Sequence, residues 1–214
     1  MRSYLLETIL VIPGILIAFV IQGYAKALVA DKLGDKTPRF QGRLTLNPLA
    51  HIDLMGFIMI LLVKFGWTKP VEVNPSALKR GKKDEIKVTI AGPIGNLVVA
   101  FILLFIYGIW RNALINILPV SMYIIGLTML DFAVRININL FIFNLIPMPG
   151  LAGFELFREL SPKNFYKYGS KLYEYQMPIL LGVVLLAQYI LIYPSRLIYM
   201  IFSIILNPIL NILF

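Results

Sequence analysis

Long apolar runs separated by short polar segments fill almost the whole chain. A helix needs about 20 apolar residues to cross the hydrocarbon core of a bilayer. Five runs approach or exceed that length: 4–30, 86–110, 119–146, 176–193 and 197–214. A sixth run, 52–63, is too short to cross and favours a re-entrant segment that returns to the side it left. The pattern predicts five transmembrane spans and one re-entrant segment.

The polar stretch after the first run predicts little regular structure, because glycines and prolines recur through residues 31–53. Residues 43–46 alternate in polarity and predict a short edge strand at the membrane surface. Residues 64–74 alternate in part and are a candidate pairing partner. The expected fold class is therefore an all-α polytopic membrane protein, a helical bundle with a re-entrant segment and a small membrane-surface β element.

Composition supports this interpretation and limits the number of domains. Hydrophobic residues make up 59% of the 214 residues, against roughly 45–50% in ordinary soluble chains. The runs leave no room for a separate soluble module, so we expect a single transmembrane domain over residues 1–214. The first run lacks a small-residue cleavage pattern and is expected to stay in the mature protein. Cysteine is absent, which excludes disulfides and thiolate metal ligands.

The formal net charge of +9 indicates membrane topology rather than nucleic-acid binding. Fifteen of the 20 Lys and Arg residues lie in the connections after the first run, around the re-entrant run and after the third span, if Lys87 at the start of the second run is included. Cytoplasmic loops of membrane proteins carry such an excess of basic residues. We expect the N-terminus outside and the C-terminus in the cytoplasm.

The segment Gly42–Asp53, which reads GRLTLNPLAHID, resembles the compact bacterial branch of the site-2 protease family. Similar segments follow in the family's order, with LGDKT at 33–37 before it and FGWTKPV at 65–71, NP at 74–75, AGPIGN at 91–96 and FNLIPMP at 143–149 after it. The resemblance covers about residues 15–160. The last two runs resemble the family only as apolar helices.

The resemblance implies a zinc site of known construction. The family has an HExxH motif on one helix and an aspartate in an LDG-like motif near the end of a later helix. Two His at i and i+4 share one helical face and bind one zinc, the Glu activates the metal-bound water, and the Asp completes the coordination. Such a site hydrolyses peptide bonds at membrane depth.

The chain carries different residues at these positions. The resemblance places Gln22, Gly23 and Lys26 on the HExxH positions and Ala152 on the aspartate. A neutral amide is a poor zinc ligand, glycine and alanine offer no ligand atom, and a protonated lysine repels a cation. The only histidine is His51, whereas catalytic zinc generally needs three protein ligands. We therefore expect no catalytic residue and no metal or other cofactor here.

Other residues have competing interpretations. The resemblance implies that Asn96, Asn144, Pro147 and Gly153 border a groove for a substrate or partner, with Asn144 placed to contact an unwound backbone. Lys26 either presents its ammonium group to this polar pocket or extends to the cytoplasmic interface, and the latter is favoured because it lies near the helix end.

Three further residues have mainly structural interpretations. A lone histidine is more often hydrogen-bonded and structural than a ligand, and we interpret His51 in that way. Asp131 and Arg135 lie four residues apart, so an ion pair on one helical face is available. Separate roles, such as binding a partner helix, remain the alternative for this pair.

The sequence thus predicts a protein that is not an enzyme: a catalytically inactive pseudoprotease that binds or regulates a membrane protein. The expected partners are a membrane protein with a transmembrane helix and the lipid bilayer, with no nucleic acid. The alternative is an intramembrane zinc metalloendopeptidase of the site-2 family in an inactivated form. The interpretation depends on the survival of the scaffold motifs while all four metal-site positions differ.

Overall fold

Long apolar helices form the body of the protein in the computed structural model, which describes residues 2–63 and 66–214. The helices are α1 (Arg2–Leu33), α2 (Thr37–Phe40), α3 (Leu54–Val63), α4 (Lys82–Ala113), α5 (Val120–Asn144), α6 (Ala152–Leu160), α7 (Pro162–Glu174) and α8 (Gln176–Leu213). Within the described ranges, four helices (α1, α4, α5 and α8) contain a stretch long and apolar enough to span a membrane. The all-α membrane-protein fold class is confirmed.

Helices α1, α4 and α5 pack against one another, and α8 packs against α4 and α5. Small residues allow this close approach. A Cβ atom on Gly14 of α1 would stand 2.8 Å from the Cα atom of Ala133 in α5. About three turns further along α1, a Cβ atom on Gly95 of α4 would stand 2.8 Å from that of Ala25. The three helices therefore hold fixed positions around one another, and the site lies among them.

The predicted re-entrant run forms α3, which has 10 residues and a length of about 15 Å. This length is about half of the hydrocarbon thickness. One-turn 3₁₀ helices occur at Pro48–Ala50 and Pro75–Ala77, and each is capped by an asparagine side chain. Lys64 and Phe65, which opened the second candidate strand, lie outside the described residues.

The expected β element is reduced to one isolated bridge in the part of the chain that the structure describes. It joins Ile52 to Thr68 in antiparallel fashion, and residues 43–46 form no strand. The buried Arg43 is the reason, because its guanidinium donates to the carbonyl oxygens of Ala50 and Pro70. A side chain therefore links the two segments where a backbone ladder was expected.

The two expected spans 176–193 and 197–214 are one continuous helix, α8, with Pro194 in its interior. Proline is tolerated inside transmembrane helices because neighbouring groups satisfy the freed carbonyl. The helix has 38 residues and a length of about 57 Å. Within it, Tyr189–Leu213 is a stretch long and apolar enough to span a membrane. The expected cytoplasmic C-terminus assumed two crossings in this region, and it stays a prediction.

Helix α6 packs against α4, and α7 packs against α6. Arg158 of α6 pairs with Glu85 of α4 at 2.7 Å. Phe154 of α6 packs edge-on against Phe165 of α7, with ring centroids 5.1 Å apart. These contacts bring the start of α6 next to the end of α5, and so complete the wall of the site.

Candidate binding groove

Three residues of α1, Gln22, Gly23 and Lys26, line a cavity of about 480 Å³ together with Ala152 of α6. The structure therefore brings together all four positions that the family resemblance placed on the metal site. Gln22 and Lys26 are one helical turn apart, so their side chains share a face. The cavity is here called the groove, and its other walls come from 66–71, α4, α5, the loop 148–151 and Leu180 of α8.

Three amide side chains meet at the base of the groove. The Oε1 atom of Gln22 accepts hydrogen bonds from Asn96 Nδ2 at 3.3 Å and from Asn144 Nδ2 at 3.2 Å. Asn144 Nδ2 also donates to the Leu140 carbonyl at 2.8 Å. Asn96 is fully buried, and its Oδ1 atom has no hydrogen-bond partner in the described structure. Since both lone pairs of the Gln22 oxygen are engaged, this amide cannot act as a free oxygen ligand.

The same cluster leaves one donor and one acceptor unpaired on residues that line the groove. Gln22 Nε2 and Asn144 Oδ1 have no hydrogen-bond partner among residues 2–63 and 66–214, and both residues line the groove. A backbone peptide group offers the complementary carbonyl and N–H. The base of the groove thus matches one peptide unit that is not part of a helix.

Lys26 faces the groove instead of being turned away to the interface. Its ammonium lies 4.0 Å from Glu155 Oε2 of α6, and Thr89 of α4 donates to the same oxygen at 3.0 Å. All three residues line the groove. Sequence reasoning missed Glu155 and Thr89. The signal for Glu155 was its spacing, because it follows Ala152 by three residues on one helix and so shares its face.

His51 is buried beside α1 and is hydrogen-bonded, as predicted. Its ring Nε2 lies 2.7 Å from the carbonyl oxygen of Thr45, so Nε2 carries the proton and donates. Its Nδ1 atom is buried, without a hydrogen-bond partner in the described structure. Burial lowers the pKa of His51 below its ordinary value near 6.5, against the opposing effect of the Thr45 bond. His51 is therefore a neutral structural residue that does not line the groove.

Of the four residues that were expected to border the groove, only Asn144 is among its lining residues. Asn144 lines it, whereas Asn96 lies behind Gln22 and contacts it only through the amide cluster. Pro147 is exposed and is not among the lining residues. Gly153 is buried against the carbonyl groups of Leu145 and Ile146 and allows α6 to start close to the end of α5.

Two bacterial relatives are similar to the chain. Over 152 residues, which are 69% of this chain and 67% of the relative, it is 40% identical to Putative zinc metalloprotease YwhC of Bacillus subtilis. Over 158 residues, or 71% of this chain, it is 29% identical to Putative zinc metalloprotease Rip2 of Mycolicibacterium smegmatis, of which it spans 57%. No protein-family model matches the chain, and no solved structure matches it significantly.

These relatives correct one expectation. Both carry the names of zinc metalloproteases, which points to an enzyme. The expectation that the chain is not an enzyme is therefore wrong on this comparison. It was drawn from four residues, whereas the similarity extends over 152 residues.

The residues of the groove do not fit the zinc ion that these names imply. The described residues contain no group of three or more His, Cys, Asp or Glu side chains able to hold a metal. The two ligand-type groups nearby are already engaged, since Glu155 binds Lys26 and Thr89 and His51 donates to Thr45. The Lys26 ammonium would also repel a cation. The groove therefore gives no basis for a zinc-dependent step.

Proposed function

Because the chain belongs to the site-2 protease family, we propose that its groove binds a locally unwound segment of another membrane protein and holds it without zinc. The observation that carries the proposal is the pair formed by Gln22 Nε2 and Asn144 Oδ1, a donor and an acceptor at the base of a cavity between transmembrane helices. At membrane depth an unwound peptide group needs such partners, because no water replaces its lost helical bonds.

The walls of the groove support a polypeptide ligand. They combine the polar base with apolar side chains that include Phe19, Trp67, Leu140 and Phe143. Its volume of about 480 Å³ is in the range of ordinary ligand pockets, roughly 300–1,000 Å³, and accommodates a few residues of a chain. The partner is thus a membrane protein with a transmembrane helix that unwinds near the groove, and no nucleic acid is involved.

The protein resides in a bacterial cytoplasmic membrane, with the basic connections on the cytoplasmic face. Lys26 and Glu155 then lie toward that face, since they are near the end of α1 and in α6. The segment enters the groove from the bilayer and is held within the membrane close to the cytoplasm.

The test is photocrosslinking in native membranes. A photoreactive residue at Val71 or Leu151, which line the groove, is expected to give adducts whose partner residue lies in a transmembrane segment. The matched control is the same residue at Leu185, exposed on α8. Gln22→Met is expected to lower the groove adduct and not the control adduct. Equal adducts at the groove and the control position would overturn the binding proposal.

Metal analysis tests separately whether the groove holds its partner without zinc. We expect substoichiometric zinc in the purified chain and an unchanged adduct yield in the presence of a chelator. Near-stoichiometric zinc, with an adduct that disappears on chelation, would contradict zinc-free binding while leaving the groove as the binding site.

A further inference from the structure

A second cavity, of about 310 Å³, lies between α5 and α8 and shares no lining residue with the groove. Its lining, here called the arginine pocket, consists of Arg135, Ile138, Ser195, Arg196, Tyr199 and Met200. The inference drawn from it does not depend on the function proposed for the groove.

One of its arginines is already paired. Arg135 Nε donates to Asp131 Oδ2 at 2.7 Å on the same helix, which confirms the predicted ion pair. The Arg135 guanidinium also lies 5.7 Å from the centre of the Tyr199 ring on α8. The negative charge of Asp131 is thereby matched by one positive charge.

The other arginine is unmatched. Arg196 is exposed and makes no hydrogen bond or ion pair within the part of the chain that the structure describes. Asp131, Arg135 and Arg196 together leave one positive charge in excess. Charged side chains within transmembrane segments usually pair with one another or mark a functional site. Since Arg196 has no partner in the described residues, we expect it to pair with an anion from another molecule.

The depth of the pocket decides which anion fits. Arg135 lies nine residues before the end of α5 at Asn144, or about 14 Å along the helix. Arg196 lies near the middle of α8, 20 residues after Gln176 and 17 before Leu213, or about 30 and 26 Å along the helix. Lipid phosphates lie at the interface, outside the hydrocarbon core, whereas an acidic side chain on a transmembrane helix reaches this depth. A guanidinium also matches a carboxylate in a bidentate geometry.

We propose that the arginine pocket docks a transmembrane helix of another membrane protein through one Asp or Glu side chain that pairs with Arg196. Exposed apolar residues of α8 that flank the pocket, including Leu197 and Ile201, supply the surface against which that helix packs. The pocket is thus a lateral recognition site, separate from the groove.

The test uses energy transfer between the 214-residue chain and synthetic helices in neutral lipid vesicles. The chain has no cysteine, so Ile212→Cys, at an exposed position of α8, provides a single labelling site. The probes are Leu-Ala transmembrane peptides with one Asp placed about nine residues from the inner end, or with Asn in its place. We expect about tenfold stronger association of the Asp peptide, because a charge-assisted hydrogen bond contributes roughly that factor.

Arg196→Gln is expected to abolish the difference between the two peptides. Since Arg196 has no partner in the described structure, the variant is expected to keep the parent melting temperature, which shows that it folds. Arg111→Gln, which removes an arginine that does not line the pocket, is the matched control and is expected to retain the difference.

Three outcomes would overturn the proposal. The first is equal transfer from the Asp and Asn peptides. The second is Arg196-dependent retention of phosphatidylglycerol without preference for the Asp peptide, which assigns the pocket to a lipid headgroup. The third is transfer between two labelled copies of the chain that Arg196→Gln removes, which assigns it to self-association.

Discussion

The imidazole ring of His51 fills the space beside the Cα atom of Gly23, so that a Cβ atom on residue 23 would overlap the ring atom Nδ1 and stand in tight contact with Cγ and Cε1. The ring cannot readily move away, since its Nε2 atom is held by the Thr45 carbonyl. The glycine at position 23 is therefore required by a tertiary contact.

Substitution of Gly23 by alanine tests this relationship. Alanine normally stabilises a helix interior by about 1 kcal/mol relative to glycine, but overpacking a core costs about 1–3 kcal/mol. We expect Gly23→Ala to lower the free energy of unfolding by up to about 2 kcal/mol, measured by thermal or denaturant unfolding in bicelles. Gly182→Ala on α8, where an added Cβ meets nothing within 4 Å, is the matched control and is expected to be neutral or stabilising.

A double-mutant cycle with His51→Ala separates the contact from other effects. In the His51→Ala background the space beside Gly23 is open, so Gly23→Ala is expected to become neutral or stabilising. If it destabilises the protein equally in both backgrounds, the overlap with His51 is not the cause.

The pH dependence of stability follows from the same histidine. Its folded-state pKa lies below the ordinary value near 6.5 because the ring is buried. As the pH falls through that value, the unfolded chain takes up a proton before the folded chain does, so stability decreases toward acid pH. With one histidine in the chain, we expect a loss between pH 7.5 and 5.5 of at most about 1.4 kcal/mol per pH unit.

The measurement is the melting temperature across this range, with His51→Gln as the control. The variant has no imidazole to titrate, so its curve is expected to be flatter over the same window. A parent curve no steeper than that of the variant would show that His51 is not the titrating group.

The amide cluster predicts a second stability effect. Gln22→Met keeps the size of the side chain but removes the acceptor of Asn96, which is fully buried. An unsatisfied buried donor costs about 1–3 kcal/mol, and we expect a loss of this size in the free energy of unfolding. Gln41→Met is the matched control, because Gln41 makes an exposed bond to Glu72 and its loss is expected to change stability by less than about 0.5 kcal/mol.

Local sequence patterns predicted the features that lie within a single helix or loop. The apolar run 119–146 indicated α5, observed at Val120–Asn144, and the four-residue spacing of Asp131 and Arg135 indicated their ion pair. The fact that His51 is the lone histidine similarly indicated a hydrogen-bonded, structural residue.

Contacts between distant residues could not be predicted in this way. His51 meets Gly23 across 28 positions of the chain, and Glu155 of α6 meets Lys26 of α1. Such contacts depend on how helices pack, which the apolar pattern of a single helix does not determine. The apolar runs 176–193 and 197–214 did not indicate one helix for a different reason, because a proline between two runs, here Pro194, is compatible both with a break between two spans and with one continuous helix.

The continuity of α8 predicts the position of the C-terminus. Four crossing helices would place Phe214 on the same membrane face as the start of α1, opposite the first turn of α4, which contains Lys83. In intact cells, a cysteine installed as Phe214→Cys is then expected to react with a membrane-impermeant maleimide. Lys83→Cys, at an exposed position of that turn, is expected to react only after permeabilisation. If both positions require permeabilisation, the chain crosses the membrane twice after α7, as the two apolar runs alone had predicted.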